Sequence, residues 1–418
     1  MTDAVPSDED KPDEDKSGAL PSEIWVLISA SFVIALGFGI VAPALPQFAT
    51  EFGVGVVAAS AVISTFAMMR LLFAPASGML VQKLGERPVY LAGLLIVAVS
   101  TGACALAQSY WQLLVFRGLG GIGSTMFSVS ALGLLIRMSP PRNRGRVSGL
   151  YATSFLMGSI GGPLLGGAVV GLGLRAPFVI YAVALVIAAA VVYFSLGHVD
   201  RARTEGDSSV PVLTFRSALG VPAYRAALAS NFATGWAVMG VRVALIPLFV
   251  IAILDRSAAV AAVSLAVFAV GNASVLAAAG RSSDVRGRKP FVVVGLVVSG
   301  LGTAAIGLTA NLPLFMIASF VAGVGSGLMT PAQQASIADI IGSKARGGPV
   351  LSTFQMSADV GAILGPVIAA SVVEYYSYGS AFVMSGAILL GAAVWWMFVS
   401  DTAREDPATR TSKAGESS

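Results

Sequence analysis

Roughly 20 consecutive apolar residues let an α-helix cross the hydrocarbon core of a bilayer, and this chain of 418 residues contains twelve such runs. They cover approximately 24–46, 57–80, 88–108, 111–138, 147–171, 176–197, 226–252, 258–280, 290–310, 313–340, 349–373 and 379–400. Hydrocarbon offers no hydrogen bonds, so each run must pair its own backbone groups and is read as a helix. Charged residues make up only 11% of the chain, with a mean hydropathy of +0.82, against roughly 25% charged in soluble domains. Lipid-facing side chains stand where a soluble protein would carry charge. The expected fold is an all-α integral membrane protein with twelve transmembrane helices.

Lys and Arg in the short loops set the orientation of such helices. One side receives Lys83 and Arg87; Arg142, Arg144 and Arg146; Arg201, Arg203, Arg216 and Arg225; Arg281, Arg286, Arg288 and Lys289; then Lys344 and Arg346. The other side receives only Arg175 and Arg256. The first side is expected to be cytoplasmic, with both termini on it. Residues 1–22 are read as a disordered acidic tail, with Asp8-Glu9-Asp10 and Asp13-Glu14-Asp15 and little apolar surface. This tail lacks a basic leader and a small-residue cleavage site, so no removed signal peptide is expected. The rest divides into a six-helix bundle at 23–197, a cytoplasmic linker at 198–225, a second bundle at 226–400 and a cytoplasmic tail at 401–418. Short loops and an Ala/Gly/Val/Arg-rich composition suit a multi-pass protein of a bacterial inner membrane.

Several function classes are excluded at this stage. The basic residues sit in short loops between apolar runs, which argues for membrane anchoring and against nucleic acid. The one cysteine, Cys104, and the one histidine, His198, give no disulfide and no metal-ligand spacing. There is no nucleophile motif and no phosphate-binding loop. No enzyme activity, cofactor or metal is expected.

The two bundles are repeats. Gly78-Met-Leu-Val-Gln82-Lys-Leu-Gly85-Glu-Arg87-Pro88 has a counterpart in Gly280-Arg-Ser-Ser-Asp284-Val-Arg-Gly287-Arg288-Lys289-Pro290, about 202 positions on. At the same offset Gly121-Ile-Gly123-Ser124 matches Gly323-Val-Gly325-Ser326. One position further on, Gly158-Ser-Ile-Gly-Gly162-Pro163 matches Gly361-Ala-Ile-Leu-Gly365-Pro366. Three matches in order at a nearly constant offset indicate a duplicated six-helix unit.

Charge inside the apolar runs is costly and marks cavities, ion pairs or ion pathways. Arg70 falls in the middle of the second run, Arg117 in the fourth, Arg242 in the seventh and Asp359 in the eleventh. None has a charged repeat counterpart; Arg117, for example, aligns with Ser319. Asp359 is the one carboxylate placed deep in a run. An acid that alternates between a wet, free setting and a dry setting beside an arginine such as Arg117 exchanges a proton with each cycle. Asp359 is therefore the proton-coupling candidate, with Arg117, Arg70 and Arg242 as coupling or substrate candidates. The structural alternative for each is snorkelling, helix capping or a static ion pair.

With these residues in place the chain resembles the major facilitator superfamily, and within it the twelve-helix drug/proton antiporters. The resemblance spans roughly 24–400. The loop Gly78–Pro88 is similar to the family loop between helices 2 and 3, with Lys83, Gly85 and Arg87 in place but Gln82 where the family has an acid and Glu86 where it has a base. The second copy keeps Asp284, Gly287, Arg288 and Lys289. Arg117, followed by Gly120, Gly121 and Gly123, resembles the family's helix 4 arginine motif. Gly149, Gly158, Gly162, Pro163, Gly166 and Gly167 match the helix 5 antiporter signature at every fixed position.

The resemblance implies gating at the cytoplasmic loops, through Gly78, Gln82, Gly85 and Arg87 and through Gly280, Asp284, Gly287 and Arg288. Gly158, Gly162 and Gly166 recur every four residues and form a bare stripe that lets another helix approach closely. Together with Pro163, that stripe suits a pivot or seal between the two bundles. Three readings of function are open. The first is a monomeric, proton-coupled exporter of drug-like or amphipathic molecules working by alternating access. The second is a carrier of an endogenous metabolite, anionic if three arginines against one aspartate set the cavity charge. The third is a non-transporting membrane sensor or scaffold. The expected partners are a small-molecule substrate, protons and the lipid bilayer.

Overall fold

The computed structural model describes residues 20–138, 144–196, 215–341 and 348–402. Most of the acidic tail, His198, residues up to 214 of the linker, Lys344, Arg346 and the tail beyond 402 lie outside them, as do the side chain of Gln82 and the packing around Gly149. Among the described residues twelve helices are long and apolar enough to cross a membrane. They are α1 (Ser22–Val41), α2 (Val56–Leu84), α3 (Glu86–Ala105), α4 (Tyr110–Met138), α5 (Arg144–Val170), α6 (Ala176–Ser195), α7 (Pro222–Ala252), α8 (Ala258–Arg286), α9 (Arg288–Gly307), α10 (Leu312–Ile341), α11 (Gly348–Tyr375) and α12 (Tyr378–Met397). Each falls on one of the apolar runs. Short helices at Leu45–Thr50 and Phe215–Leu219 lie outside the spans.

Single glycines make two of the tightest connections. Gly85 alone separates α2 from α3, and Gly287 alone separates α8 from α9. Both combine a positive φ, +88° and +99°, with an extended ψ, 164° and 157°, a conformation essentially confined to glycine. The same helices then pack through glycines. A Cβ on Gly93 or on Gly123 would sit 2.7 Å from the other's carbonyl oxygen. Gly295 and Gly325, 202 residues further on, repeat that contact at 2.7 and 2.6 Å. The duplication read from the loops is thus a duplication of packing.

Each half closes its own interior. Arg175, in the loop before α6, donates to the Ala105 and Ala107 carbonyls at 3.2 and 3.1 Å and so satisfies the end of α3. In the second half Phe249 of α7 lies against Phe315, Tyr378 and Phe382, with centroids 5.5–5.7 Å apart. These rings tie α7, α10 and α12 together at one end.

Candidate functional site

The halves meet along two seams. At the first, α2 runs antiparallel to α11. The Val57 N–H donates to Glu374 Oε1 at 3.1 Å, Ser64 Oγ donates to the Ile363 carbonyl at 2.7 Å, and Arg70 donates to Asp359 Oδ1 at 3.1 Å. At the second seam, between α5 and α8, a Cβ on Gly167 would lie 2.9 Å from Ala262 Cβ. Both seams close at the end where α2 and α8 begin. Toward the other end these helices expose Leu72 and Met79 on α2, Met157 on α5, Val285 on α8 and Met356 on α11. Gly78 has open space beside it.

The Arg70–Asp359 pair is the deepest polar contact on the first seam. The Arg70 side chain is 37% exposed and that of Asp359 16%. The pair is therefore only partly enclosed, and its Coulomb attraction holds α2 to α11. Asp359 was expected beside Arg117; the repeat architecture instead sets α2 across from α11, so the partner is Arg70. On the second half Asn272 occupies the repeat position of Arg70 and donates to Ser326 Oγ at 3.1 Å, within its own half. Ion pairing across the halves is thus seen on one seam and not on its counterpart, among the described residues.

Arg117 and Arg242 do not join this pair. Arg117 is 6% exposed, with its Cζ 4.4 Å from the Phe66 ring centroid and its Nε unpartnered. Arg242 is 5% exposed, with its Cζ 3.7 Å from the Phe268 centroid and its Nε and Nη1 unpartnered. Both are cation–π stacks.

The glycine stripe of α5 faces α1, in the same half. Ser154 Oγ donates to the Ile28 carbonyl at 2.8 Å. Cβ atoms on Gly158, Gly162 and Gly166 would lie 2.6, 2.5 and 2.7 Å from the carbonyl oxygens of Phe32, Leu36 and Ile40. The two helices run parallel with one contact per four residues of each. Gly167, one step off the stripe, faces the other half, against Ala259 and Ala262. The expectation of a stripe lying between the bundles is therefore corrected: it fuses α5 to α1, while its neighbour Gly167 faces the seam. In the second half Gly361 and Gly365 pack likewise on Phe232 and Trp236 of α7.

The second-half loop forms a charged network. Arg288 is paired with Asp284, and its Nε donates to Asp339 Oδ2 at 3.2 Å. The Arg288 backbone N–H donates to Asp401 Oδ1 at 3.0 Å, and Lys289 Nζ to the Met397 carbonyl at 2.8 Å. These contacts join the ends of α8, α9, α10 and α12 within one half. Asp339 and Asp401 were missed in the sequence; their place at the same membrane boundary as Arg288 was the available signal. In the first half Arg87 donates to the Tyr193 carbonyl at 2.8 Å and lies over that ring, tying α3 to α6. Trp236 of α7 is buried and donates to Ser385 Oγ at 3.1 Å, a packing role.

A duplicated six-helix unit, glycine-fused helix pairs and charge at the seam are parts of a transporter core. The sequence profile of the Major Facilitator Superfamily matches residues 27–257 and 227–417. The chain belongs to the major facilitator superfamily. Among curated superfamily members, the quinolone resistance protein NorA of Staphylococcus aureus is 29% identical over 156 residues, 37% of this chain and 40% of NorA. An uncharacterized MFS-type transporter of Mycobacterium tuberculosis is 33% identical over 141 residues, 34% of this chain and 20% of that protein. The chain thus aligns with less than half the length of these relatives.

Solved transporter structures share the fold. A bacterial homologue of the human lysosomal transporter Spinster, inward-facing and unoccupied, superposes with a TM-score of 0.76 at 17% identity. That match covers 93% of this chain and 98% of the homologue. A POT family transporter in complex with 5-aminolevulinic acid gives 0.74 at 10% identity, covering 90% and 95%.

Proposed function

We propose that this superfamily transporter exports small drug-like or amphipathic molecules in exchange for protons, by alternating access. The observation that carries the reading is the Arg70–Asp359 pair. It is a partly exposed ion pair between the two halves, and the seam with no such pair is closed by Gly167 against Ala262. A proton on Asp359 cancels most of the attraction to Arg70 and frees α2 from α11; its release restores the pair. Such a contact couples protonation to the opening of one end. The remaining charged residues on α11 and the helices packed against it are Glu374 at the closed end of α11, Lys83 in the last turn of α2, Arg216 in the short helix Phe215–Leu219, Asp339 on α10, which holds Arg288, and Arg225 and Arg242 on α7, of which Arg242 is stacked on Phe268.

With the positive loops on the cytoplasmic side, the closed end is the outer one, and the protein is drawn open to the cytoplasm. The loop network of Arg288, Asp284, Asp339 and Asp401 then acts as a brace that moves the second half as one body. The quinolone resistance named for NorA supports export of drug-like solutes. The test is transport by protein reconstituted in liposomes. Solute and protons moving in opposite directions, with Asp359→Asn abolishing the coupling, fits the reading. Coupling that survives in Asp359→Asn assigns the proton elsewhere.

The second reading, a carrier of an anionic metabolite, is favoured by one observation: Arg117 and Arg242 are buried with donors unpartnered. It differs from the first in its physiological substrate, and flux assays on endogenous organic acids against xenobiotics separate the two.

A further inference from the structure

The helices α1 and α7 are repeat counterparts, but α7 carries one residue more. Gly158 and Gly162 lie against Phe32 and Leu36; Gly361 and Gly365 lie against Phe232 and Trp236. Up to that level, α1 and α7 differ by 200 in number. One turn further, Pro163 lies against Gly39 at 2.8 Å and Pro366 against Gly240 at 2.7 Å, a difference of 201. Between these levels α7 is π-helical, from Gly235 to Val241, whereas α1 is α-helical throughout. The π turn inserts one residue, and each inserted residue re-aims the remainder of the helix by about 100°. Arg242 is the first residue beyond it, at the place that the buried Val41 holds in α1.

Re-aimed in this way, Arg242 stacks on Phe268, 202 residues after Phe66, the ring beneath Arg117. Both rings are the eleventh residue of their helices, so the two guanidiniums occupy one layer, about 15 Å from the closed end. Asp359, the acid nearest that layer, already holds Arg70. No described residue pairs with Arg117 or Arg242. Two uncompensated cations inside a membrane protein are expensive, and each buried free N–H adds to the cost. An acceptor-only oxyanion brought against these guanidiniums removes both penalties.

We propose that Arg242 binds the anionic group, a carboxylate or sulfonate, of the transported molecule, with Arg117 adding positive potential, so that the substrates are amphipathic anions rather than lipophilic cations. The occupant being a transported solute rests on the proposed function; the anion site itself does not. The π turn and the arginine form one device, absent from the first half, that makes the repeat chemically one-sided.

The test is equilibrium binding to the purified full chain in detergent, read by melting temperature and tryptophan fluorescence. The probes are naphthalene-2-carboxylate and naphthalene-2-sulfonate against naphthalene-2-carboxamide and naphthalene-2-sulfonamide. Wild-type protein is expected to bind both anions roughly tenfold or more tightly than the amides, the worth of one charge-assisted hydrogen bond. Arg242→Gln should lose that preference, and Arg242→Lys, which keeps the charge without the fork, should retain part of it. Amides binding as tightly as the anions to wild type, or no anion binding, overturns the site without requiring any variant to fold. So does full anion preference in Arg242→Gln. Binding is read without a gradient, so proton-driven flux of amides alone would sink this inference and leave the exporter. An anion site on a chain that moves no protons would do the reverse.

Discussion

Arg70 and Asp359 lie 289 residues apart in the chain and 3.1 Å apart in space. They join the second helix of one half to the fifth of the other, at a level where the repeat counterpart of Arg70 is a neutral Asn272 that bonds inside its own half. Removing Arg70 leaves a carboxylate facing the seam without a partner. Because Arg70 is partly exposed, the loss should be about 1 kcal/mol rather than the several expected of a fully buried pair. Thermal melting of Arg70→Ala in detergent checks it. The swap Arg70→Asp with Asp359→Arg should recover most of the loss; a swap no better than the single variant contradicts a direct pair.

The apolar seam makes a separate prediction. Cysteines at Gly167 and Ala262 bring two Cβ atoms close enough for a disulfide after a small relaxation. Gly167→Cys with Ala262→Cys should oxidise readily, stop transport and recover on reduction, whereas the natural Cys104 is buried and should not interfere. Undiminished transport in the oxidised protein would mean that this seam never opens.

The glycine stripe should tolerate no side chain. Gly162→Ala places a Cβ 2.5 Å from the Leu36 carbonyl oxygen and against Gly39. Backbone cannot move aside as a side chain can, so a loss of about 1–3 kcal/mol is expected. Gly161→Ala, which meets only the Leu36 side chain at 3.1 Å, is the matched control and should melt near wild type.

Gly85 separates conformation from crowding, since nothing lies within 4 Å of the position its Cβ would take. Gly85→Ala should still cost about 1–2 kcal/mol through its φ of +88° alone. Gly85→Asn should cost about as much as alanine, because at ψ 164° the backbone lies outside the left-handed helical region that asparagine tolerates. Equal melting of all three would show that the turn relaxes freely.

The fold was legible because hydrocarbon leaves so few choices. Twelve apolar runs became twelve helices, and the loop glycines Gly85 and Gly287 became positive-φ turns. Contacts between the halves were not legible. Nothing in the run containing Asp359 says that it faces Arg70 rather than Arg117, since that depends on which helices the duplicated units present to each other. The spacing of Gly158, Gly162 and Gly166 announced a close helix contact but not its partner, because α1 and a helix of the other half would accept the stripe equally. Asp339 and Asp401 escaped notice as ordinary boundary acids until the fold gathered them at Arg288. The π turn before Arg242 leaves no mark in composition; it emerges only when the packing of α7 is numbered against that of α1.

Proton coupling through Asp359 is tested most directly by gradient-driven accumulation. Liposomes holding the protein, acidic inside and alkaline outside, with the membrane potential clamped by potassium and valinomycin, are given a permanently charged solute that wild-type protein carries. Wild type should concentrate the solute inside until the pH gradient is collapsed. Asp359→Asn should only equilibrate it, while still exchanging labelled for unlabelled solute across the membrane. Accumulation by Asp359→Asn equal to that of wild type would contradict the assignment of the coupling proton to this carboxylate.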